Sequence, residues 1–143
     1  MNIYFACSIT GGRRDERFYQ LIIDSLLAAG HTTPTAHLSQ PDVLILEATV
    51  DAKEVYTRDI GWIEECQALI AEVSTPSHGV GYEIAFALSL GKPVLCCFQR
   101  GIPVSKMITG NTNPTLQVHS YVSPEEAVKV VYTFLDQLDV GSR

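Results

Sequence analysis

Residues 69–98 read L-I-A-E-V-S-T-P-S-H-G-V-G-Y-E-I-A-F-A-L-S-L-G-K-P-V-L-C-C-F, and they decide the fold. Two short apolar runs, 69–73 and 94–98, enclose a stretch at 80–90 that is apolar at nearly every position, and Gly91 follows it. A glycine just past an apolar helical stretch is typical of a helix end. We therefore predict a strand, a helix and a second strand, which is the repeating unit of a parallel sheet.

Apolar runs and helical patterns alternate along the rest of the chain in the same way. Counting the two above, the runs that fit strands are 3–7, 32–37, 69–73, 94–98 and 116–119. Helices are predicted at 14–29, 51–66, 80–90 and 123–138, with a short one at 103–109. We interpret 43–46, within the irregular segment 38–50, as part of a loop over the site. The sequence thus predicts one α/β domain, residues 1–143, with a doubly wound, five-stranded parallel sheet and helices on both faces.

Two helix boundaries carry clear signals. Gly30 follows the first predicted helix, where a C-terminal cap is expected. Ser123 is the predicted N-cap of the last helix, because Glu126 stands three residues later and completes a capping box. Pro124 at the first helical position agrees with this boundary.

Composition argues against several classes of function. Hydrophobic residues make up 46 % and charged residues 18 %, so a packed core can form. The net charge is −6 and no basic stripe is visible, which argues against a nucleic-acid polymer as partner but leaves a single nucleotide open. The four cysteines lack zinc spacing, and we interpret them as reduced, buried thiols of a cytoplasmic protein. We expect no signal peptide, membrane span, metal or cofactor.

The loop after the first predicted strand is a candidate anion site. It reads S-I-T-G-G-R-R at 8–14 and opens the first helix, whose N-terminal N–H groups and partial positive charge favour anions. Two glycines allow close approach of the backbone, and hydroxyl and guanidinium groups add donors. The segment matches neither the Walker pattern nor G-x-G-x-x-G, so an ordinary tight turn between strand and helix stays open as the alternative.

Asp59 is anomalous in the helix predicted at 51–66. Projected at 100° per residue, it lies near the centre of the apolar face, which consists of Ala52, Val55, Tyr56, Ile60, Trp62, Ile63 and Cys66. A desolvated carboxylate is costly unless it is paired or its pKa rises, so such a position is typical of function. The structural alternative is a buried aspartate that caps a loop or pairs with an arginine.

Glu83 gives the same signal in the helix predicted at 80–90, which is apolar nearly all round and therefore expected to be buried on several sides. We place Glu83 in the first turn of that helix, where interaction with the helix dipole is the structural alternative. The surrounding G-V-G-Y-E-I imitates a dinucleotide fingerprint but has Ile84 at the third glycine, which argues against it. Two carboxylates and an anion loop at one sheet edge suit glycosidic bond cleavage.

Three segments in this order and spacing resemble the nucleoside 2-deoxyribosyltransferase superfamily, and within it the 2'-deoxynucleoside 5'-phosphate N-hydrolases. They read Y-F-A-C-S-I-T-G-G-R at 4–13, D-I-G-W-I-E at 59–64 and E-V-S-T-P-S-H-G-V-G-Y-E at 72–83. The resemblance runs over nearly the whole chain. It implies a doubly wound, five-stranded homodimer that cleaves the N-glycosidic bond of a deoxynucleoside monophosphate, giving free base and 2-deoxyribose 5-phosphate.

The resemblance also implies roles for individual residues. Glu83 would be the nucleophile at C1' and form a covalent glycosyl ester, Tyr4 would orient it by a hydrogen bond, and Asp59 would assist departure of the base as a proton donor or through base contacts. His37 would lie near the base or sugar. Ser105 would reach the phosphate from the partner subunit, and Met107 would line the same shared wall. The 5'-phosphate would be held by Ser8, Ile9, Thr10, Gly11, Gly12, Arg13, Ser77 and Gly79, and Cys7 completes the implied substrate-binding set.

The chain departs from its close relatives at three positions. Cys7 stands where they carry glycine, Thr10 where they carry arginine, and His78 where leucine is usual. Thr10 cannot form the bidentate phosphate contact of a guanidinium, so Arg13 would carry that charge.

Three other functions stay open from the sequence. The first is a transferase that exchanges one base for another on deoxyribose, through the same covalent intermediate. The second is an N-hydrolase of ribonucleoside monophosphates such as CMP. The third is a nucleotide-binding module without turnover.

Overall fold

A parallel sheet of four strands forms the centre of the computed structural model, which describes residues 1–9 and 15–141. Among these residues the strands lie in chain order, β1 (Ile3–Ala6), β2 (Ala68–Glu72), β3 (Val94–Gln99) and β4 (Leu116–Tyr121). All three strand pairs are parallel. Every residue of β1 and β2 is buried, as expected for strands covered on both faces.

Helices cover both faces of this sheet. The helices are α1 (Glu16–Ala28), α2 (Val43–Ala48), α3 (Ala52–Glu65), α4 (His78–Ser89), α5 (Lys106–Thr109) and α6 (Pro124–Gly141). The apolar faces of α1 and α6 pack on one side of the sheet, and those of α3 and α4 pack on the other. The predicted α/β domain with a parallel sheet between helices is confirmed.

The prediction of a fifth strand at 32–37 is wrong. Only Thr32 pairs with the sheet, through a single parallel bridge to Asn2, and a 3₁₀ turn follows at Ala36–Ser39. The chain turns after Pro34, and the Thr35 hydroxyl accepts the hydrogen bond from the Phe5 N–H at 3.0 Å. A side-chain oxygen thus takes the place that a backbone carbonyl of a fifth strand would have occupied.

The bridge at Thr32 still shows how the chain winds. The Ile3 N–H donates to the Thr32 carbonyl, whereas the Asn2 carbonyl accepts from Gln67, which leads into β2 on the other side of β1. The chain therefore leaves β1 over one face through α1 and returns to its other side through α3. Ligands of such sheets bind at the carboxyl ends of the strands on either side of this reversal.

Two further predictions are corrected by the structure. The segment 43–46, interpreted as loop, belongs to helix α2, since its apolar residues continue for a turn and a half. Helix α4 begins at His78 and buries one face only, through Val80, Ile84 and Ala87. Its Tyr82 is 55 % exposed, so the helix is not buried on several sides.

The predicted helix ends are confirmed where the structure describes them. Gly30 and Gly91 have positive φ angles of 82° and 70°, and each lies just past the C-cap of its helix. After Gly30, the His31 N–H donates to Leu26 and completes a Schellman motif, which only a residue tolerant of positive φ allows. The Ser123 hydroxyl accepts from the Glu126 N–H at 3.2 Å, as predicted for the N-cap, whereas the Glu126 carboxylate accepts from the Val122 N–H, one residue before the position that a capping box requires.

All four cysteines are buried thiols outside any disulfide, as predicted, and they pack as small residues in the two cores. Across the described ranges, no helix combines the length and the apolar character needed to cross a bilayer.

Candidate active site

Tyr4 and Glu83 meet at the centre of the candidate site. The Tyr4 hydroxyl donates to Glu83 Oε1 at 2.8 Å, although 79 residues separate the two in the chain. Tyr4 is fully buried in the middle of β1, and its burial raises the pKa of the phenol well above its usual range, so the hydroxyl keeps its proton and donates. One carboxylate oxygen of Glu83 is thereby fixed by the sheet.

Glu83 is desolvated by its surroundings. Burial raises the pKa of its carboxyl group to about 7, the hydrogen bond from Tyr4 opposes that shift, and the nearby Asp59 charge adds to it. Because α4 begins at His78, Glu83 lies in the second turn and not in the predicted first turn. Interaction with the helix dipole, which falls off within the first turn, therefore does not explain this carboxylate.

A cavity of about 400 Å³ contains both anomalous carboxylates. Glu83 and Asp59 line it from α4 and α3, and Glu47 lines it from α2. Its remaining lining comes mainly from apolar side chains and the start of α4: Cys7, Ile9, Leu38, Val50, Ala52, Val55, Ser77, Gly79 and Val80. The cavity thus opens at the carboxyl ends of β1 and β2, where the sequence placed the site.

Asp59 forms an ion pair with Arg58, the residue before it in α3. Arg58 Nε donates to Asp59 Oδ1 at 2.8 Å, and its two terminal nitrogens donate to the two oxygens of Glu47 at 3.2 Å each. His37 Nε2 lies 3.0 Å from Glu47 Oε1. Burial acts to raise the pKa of Glu47, but the hydrogen bonds and charges of Arg58 and His37 together hold it below its usual value. The arginine partner considered for Asp59 is therefore present inside a larger network.

The predicted phosphate loop is described only in part. Ser8 is fully buried, and its Oγ has no hydrogen-bond partner among residues 1–9 and 15–141. Cys7 and Ile9 line the cavity. The other members of the predicted loop lie outside the described residues: Thr10, Gly11, Gly12, Arg13 and Arg14.

The structure divides the remaining predicted residues between two places. Ser77, the N-cap of α4, and Gly79 line the Glu83 cavity. His37 contacts Glu47, which lines the cavity, but is not itself part of the lining. Ser105 and Met107 line a neighbouring groove that runs between α4 and α5.

Sequence reasoning missed Glu47, Arg58 and Glu72. Glu47 carries the same signal as Glu83, one carboxylate in the apolar run V-L-I-L-E-A, but a loop assignment conceals it. Arg58 lies on the polar side of a helical projection, so periodicity predicts solvent for it.

Glu72 stands alone in an apolar strand and is fully buried. Burial raises the pKa of its carboxyl group to about 7, although Ser74 and Tyr121 both donate to Oε1. The Ser74 hydroxyl in turn accepts from the Gln99 N–H at 2.8 Å, so Glu72 ties together the ends of β2, β3 and β4. It lies on the α1 side of the sheet, apart from the Glu83 cavity.

Comparison with known proteins places this site in a family. The sequence model of the nucleoside 2-deoxyribosyltransferase family matches residues 3–120. The chain is 38 % identical over 137 residues to a putative 2'-deoxynucleoside 5'-phosphate N-hydrolase 1 of Methanosarcina mazei, covering 96 % of this chain and 85 % of the relative. It is 36 % identical over 141 residues to the 5-hydroxymethyl-dUMP N-hydrolase of Rattus norvegicus, covering 95 % and 83 %.

Solved structures agree on the fold. A CMP N-glycosidase of Clostridium botulinum superposes with a TM-score of 0.73 at 18 % identity, covering 94 % of this chain and 99 % of that one. A 2-desoxiribosyltransferase of Leishmania mexicana gives 0.56, also at 18 % identity, with 93 % and 96 % coverage. From the match over residues 3–120 and the extent of the identity to these N-hydrolases, we conclude that the chain belongs to the nucleoside 2-deoxyribosyltransferase family.

Proposed function

We propose that this chain hydrolyses the N-glycosidic bond of 2'-deoxynucleoside 5'-monophosphates, releasing the free base and 2-deoxyribose 5-phosphate. One observation carries the proposal: the Glu83 carboxylate is held by Tyr4 through one oxygen and lines the same cavity as Asp59. Relatives that align with nearly the whole chain are named as N-hydrolases of such nucleotides, which supports the same reaction here.

The reaction divides into two steps at C1' of the sugar. The Glu83 oxygen that Tyr4 does not bind attacks C1', the C1'–N bond breaks, and its electron pair leaves with the base, which takes up a proton from solvent with assistance from Asp59. Water then attacks C1' of the glycosyl ester, its C–O bond breaks, and the Glu83 carboxylate is restored while the proton of water passes to solvent. A carboxylate in an apolar cavity stabilises the positive charge that develops on the sugar.

The 5'-phosphate is proposed to lie between the loop after β1 and the start of α4. Ser77 and Gly79 offer the N-terminal N–H groups of a helix of twelve residues, and the buried Ser8 hydroxyl lies on the other loop. We assign the rest of the phosphate contacts to the loop positions outside the described residues, Thr10, Gly11, Gly12 and Arg13. Cys7 and Ile9 would form the floor of the cavity beneath the sugar.

The test is a chromatographic panel of deoxy- and ribonucleoside monophosphates and the corresponding nucleosides. The proposal expects base release from deoxynucleoside monophosphates and little from unphosphorylated nucleosides. A second free base added to the same reactions separates hydrolysis from transfer, because a transferase would form the exchanged nucleotide. Release from none of the monophosphates, or exchange in place of hydrolysis, would overturn the proposal.

Tyr4→Phe is expected to move the pH dependence of the reaction. The attacking form of Glu83 is the carboxylate, so kcat/KM should rise with pH through about 7 in the wild type. The Tyr4 hydrogen bond lowers that pKa, and its removal should therefore shift the rising limb to higher pH. Profiles of kcat/KM between about pH 5 and 9 measure the shift.

Tyr132→Phe is the matched control for this profile. It also removes a hydroxyl that donates a hydrogen bond, to the Ser25 carbonyl at 2.9 Å, but on the α1–α6 side of the sheet. We expect Tyr132→Phe to leave the rising limb of the kcat/KM profile at the same pH as in the wild type. A Tyr4→Phe profile that coincides with the wild type would show that the hydrogen bond does not tune Glu83.

We further propose that the active form is a homodimer in which Ser105 serves the partner's site. Met107, which lines the groove between α4 and α5, is 83 % exposed, and Tyr82 on α4 is 55 % exposed. That groove has a volume of about 550 Å³ and shares Ser77 and Val80 with the Glu83 cavity. Ser105 lines the groove and not its own chain's Glu83 cavity, so a second copy seated there would bring its Ser105 toward the phosphate.

Mixing two impaired variants tests the shared site. Ser105→Asp places a negative charge against the phosphate yet keeps a good N-cap for α5, so it should lower activity without unfolding the helix. A Glu83→Gln protomer supplies an intact Ser105 to its partner. Re-assembled one to one, the two impaired proteins should recover about a quarter of the wild-type sites if Ser105 acts across a twofold interface.

The same mixture distinguishes the alternatives. If Ser105 served its own chain, no mixed dimer would contain an intact site and no activity would return. Each variant incubated alone through the same dissociation and re-assembly steps gives the baseline.

A further inference from the structure

Arg58 is the centre of the polar network at one end of the Glu83 cavity. It uses its Nε for Asp59, on its own helix α3, and its forked terminal nitrogens for Glu47 on α2. Its guanidinium carbon lies 4.8 Å from the centre of the Trp62 ring, over its face. A guanidinium bound by two carboxylates and an aromatic face has one orientation, so Arg58 acts as a rigid connector.

The two carboxylates of this network differ in how many of their oxygens are in use. Both oxygens of Glu47 accept from Arg58, and Oε1 also lies 3.0 Å from His37. Asp59 accepts from Arg58 through Oδ1 alone, and its Oδ2 has no hydrogen bond among residues 1–9 and 15–141. Both side chains line the cavity, and of the two only Asp59 has an oxygen without a hydrogen bond among the described residues.

Glu47 also connects α2, from which it lines the cavity, to α3. On its helix α2 only Val43 is buried, whereas Leu44, Ile45 and Leu46 are 48 %, 73 % and 46 % exposed. The helix is six residues long and so has little stability of its own. The ion pair of Glu47 with Arg58 thus connects α2 to α3 and holds the guanidinium from a second element.

We propose that Arg58 is a positioning residue for glycosidic cleavage: held in one orientation by Glu47 and the face of Trp62, it fixes the Asp59 carboxylate with Oδ2 toward the departing base. The inference rests on the proposed function. It assigns the carboxylates different tasks, since Asp59 touches the base and Glu47 anchors Arg58. Misplacement of a reacting group by about 1 Å can cost a hundredfold in rate, so the orientation of one carboxylate matters at this scale.

Lysine cannot replace Arg58 in this arrangement. An ammonium group is a single point donor on a flexible stem, whereas Arg58 spans two carboxylates with three nitrogens in one plane. Arg58→Lys therefore separates geometry from charge, because it keeps the positive charge beside Asp59 and loses the fork. Arg58→Gln removes both.

The first measurement is steady-state base release from a deoxynucleoside monophosphate. For Arg58→Gln we expect kcat to fall about a hundredfold, and for Arg58→Lys nearly as much, with KM changed little because the phosphate contacts lie elsewhere. Arg17→Gln, an exposed arginine on α1, is the control and should keep the wild-type kcat. A lysine variant with wild-type kcat would overturn the proposal, because charge alone would then suffice.

The second measurement is a double-variant comparison. If Arg58 acts through Asp59, Arg58→Gln combined with Asp59→Asn should be no slower than Asp59→Asn alone. If the two substitutions acted independently, or if Arg58→Gln only reduced the amount of folded protein, the rate losses of the single variants would multiply. That result would overturn the proposal. Failure of the proposed function looks different: the wild type itself would then release no base, whereas failure of this inference leaves an active wild type and additive variants.

Discussion

Glu83→Gln is expected to abolish release of base from deoxynucleoside monophosphates, lowering kcat by at least about 10⁴-fold. Glutamine keeps an oxygen that can accept from Tyr4, so the side chain retains its place 2.8 Å from the hydroxyl, but the amide has no nucleophilic oxygen for C1'. The measurement is single-turnover base release with the variant in excess over substrate. Turnover within about tenfold of the wild type would remove Glu83 from the role of nucleophile.

Glu65→Gln provides the matched control. It makes the same chemical change on an exposed glutamate at the end of α3, at the opposite end of the sheet from the cavity. We expect wild-type kcat and KM. Because Glu83→Gln leaves the phosphate contacts in place, the variant should still bind the nucleotide. Binding without base release would show that the substitution removes catalysis and not the binding site.

Stability should change in the direction opposite to activity. The pKa of Glu83 is raised from 4.5 to about 7 by burial, so the folded chain binds its proton more tightly than the unfolded chain. The stability that this proton contributes is complete below about pH 4.5 and is lost as pH rises through about 7. Thermal unfolding at pH 8 should therefore give a higher Tm for Glu83→Gln than for the wild type, with little difference near pH 4.5.

The strands could be predicted wherever local pattern and burial agree. Residues 69–98 form the predicted strand, helix and strand. Their two short apolar runs are strands of a sheet covered by helices on both faces, and such strands are apolar almost throughout. The fifth strand failed because the Thr35 hydroxyl satisfies the Phe5 N–H, and a side chain that replaces a backbone partner leaves no periodic trace in the sequence.

The candidate site shows the same division between what is local and what is not. Asp59 and Glu83 could be found from the sequence because each is a carboxylate among apolar neighbours, and desolvation acts on a single residue. The residues that form hydrogen bonds with such carboxylates could not be found in this way. The connection from Glu47 through Arg58 to Asp59 depends on where α2 lies over α3, and the role of Glu72 depends on Tyr121, which is 49 residues away.

Asp59→Asn is expected to slow base release by about 10²- to 10⁴-fold, the range typical of a lost general acid or base. The departing base carries the electron pair of the broken C1'–N bond and needs a proton or a hydrogen bond at that moment. Asp59 Oδ2 is the oxygen of the network left free of hydrogen bonds within the described ranges, and it lies in the cavity that Glu83 enters from the other helix.

The size of the Asp59 effect should depend on the base. A base that leaves readily as an anion needs less assistance, so Asp59→Asn should slow release of 5-fluorouracil from its deoxynucleotide less than it slows release of uracil. Asp24→Asn, which changes an exposed aspartate on α1, should slow neither. An equal loss with both bases would mean that Asp59 acts before the bond breaks, by binding the nucleotide, and KM would then rise where kcat was expected to fall. A steeper loss with the poorer leaving group would instead place Asp59 at the breaking bond, since only an interaction that strengthens as charge develops on the base can distinguish the two.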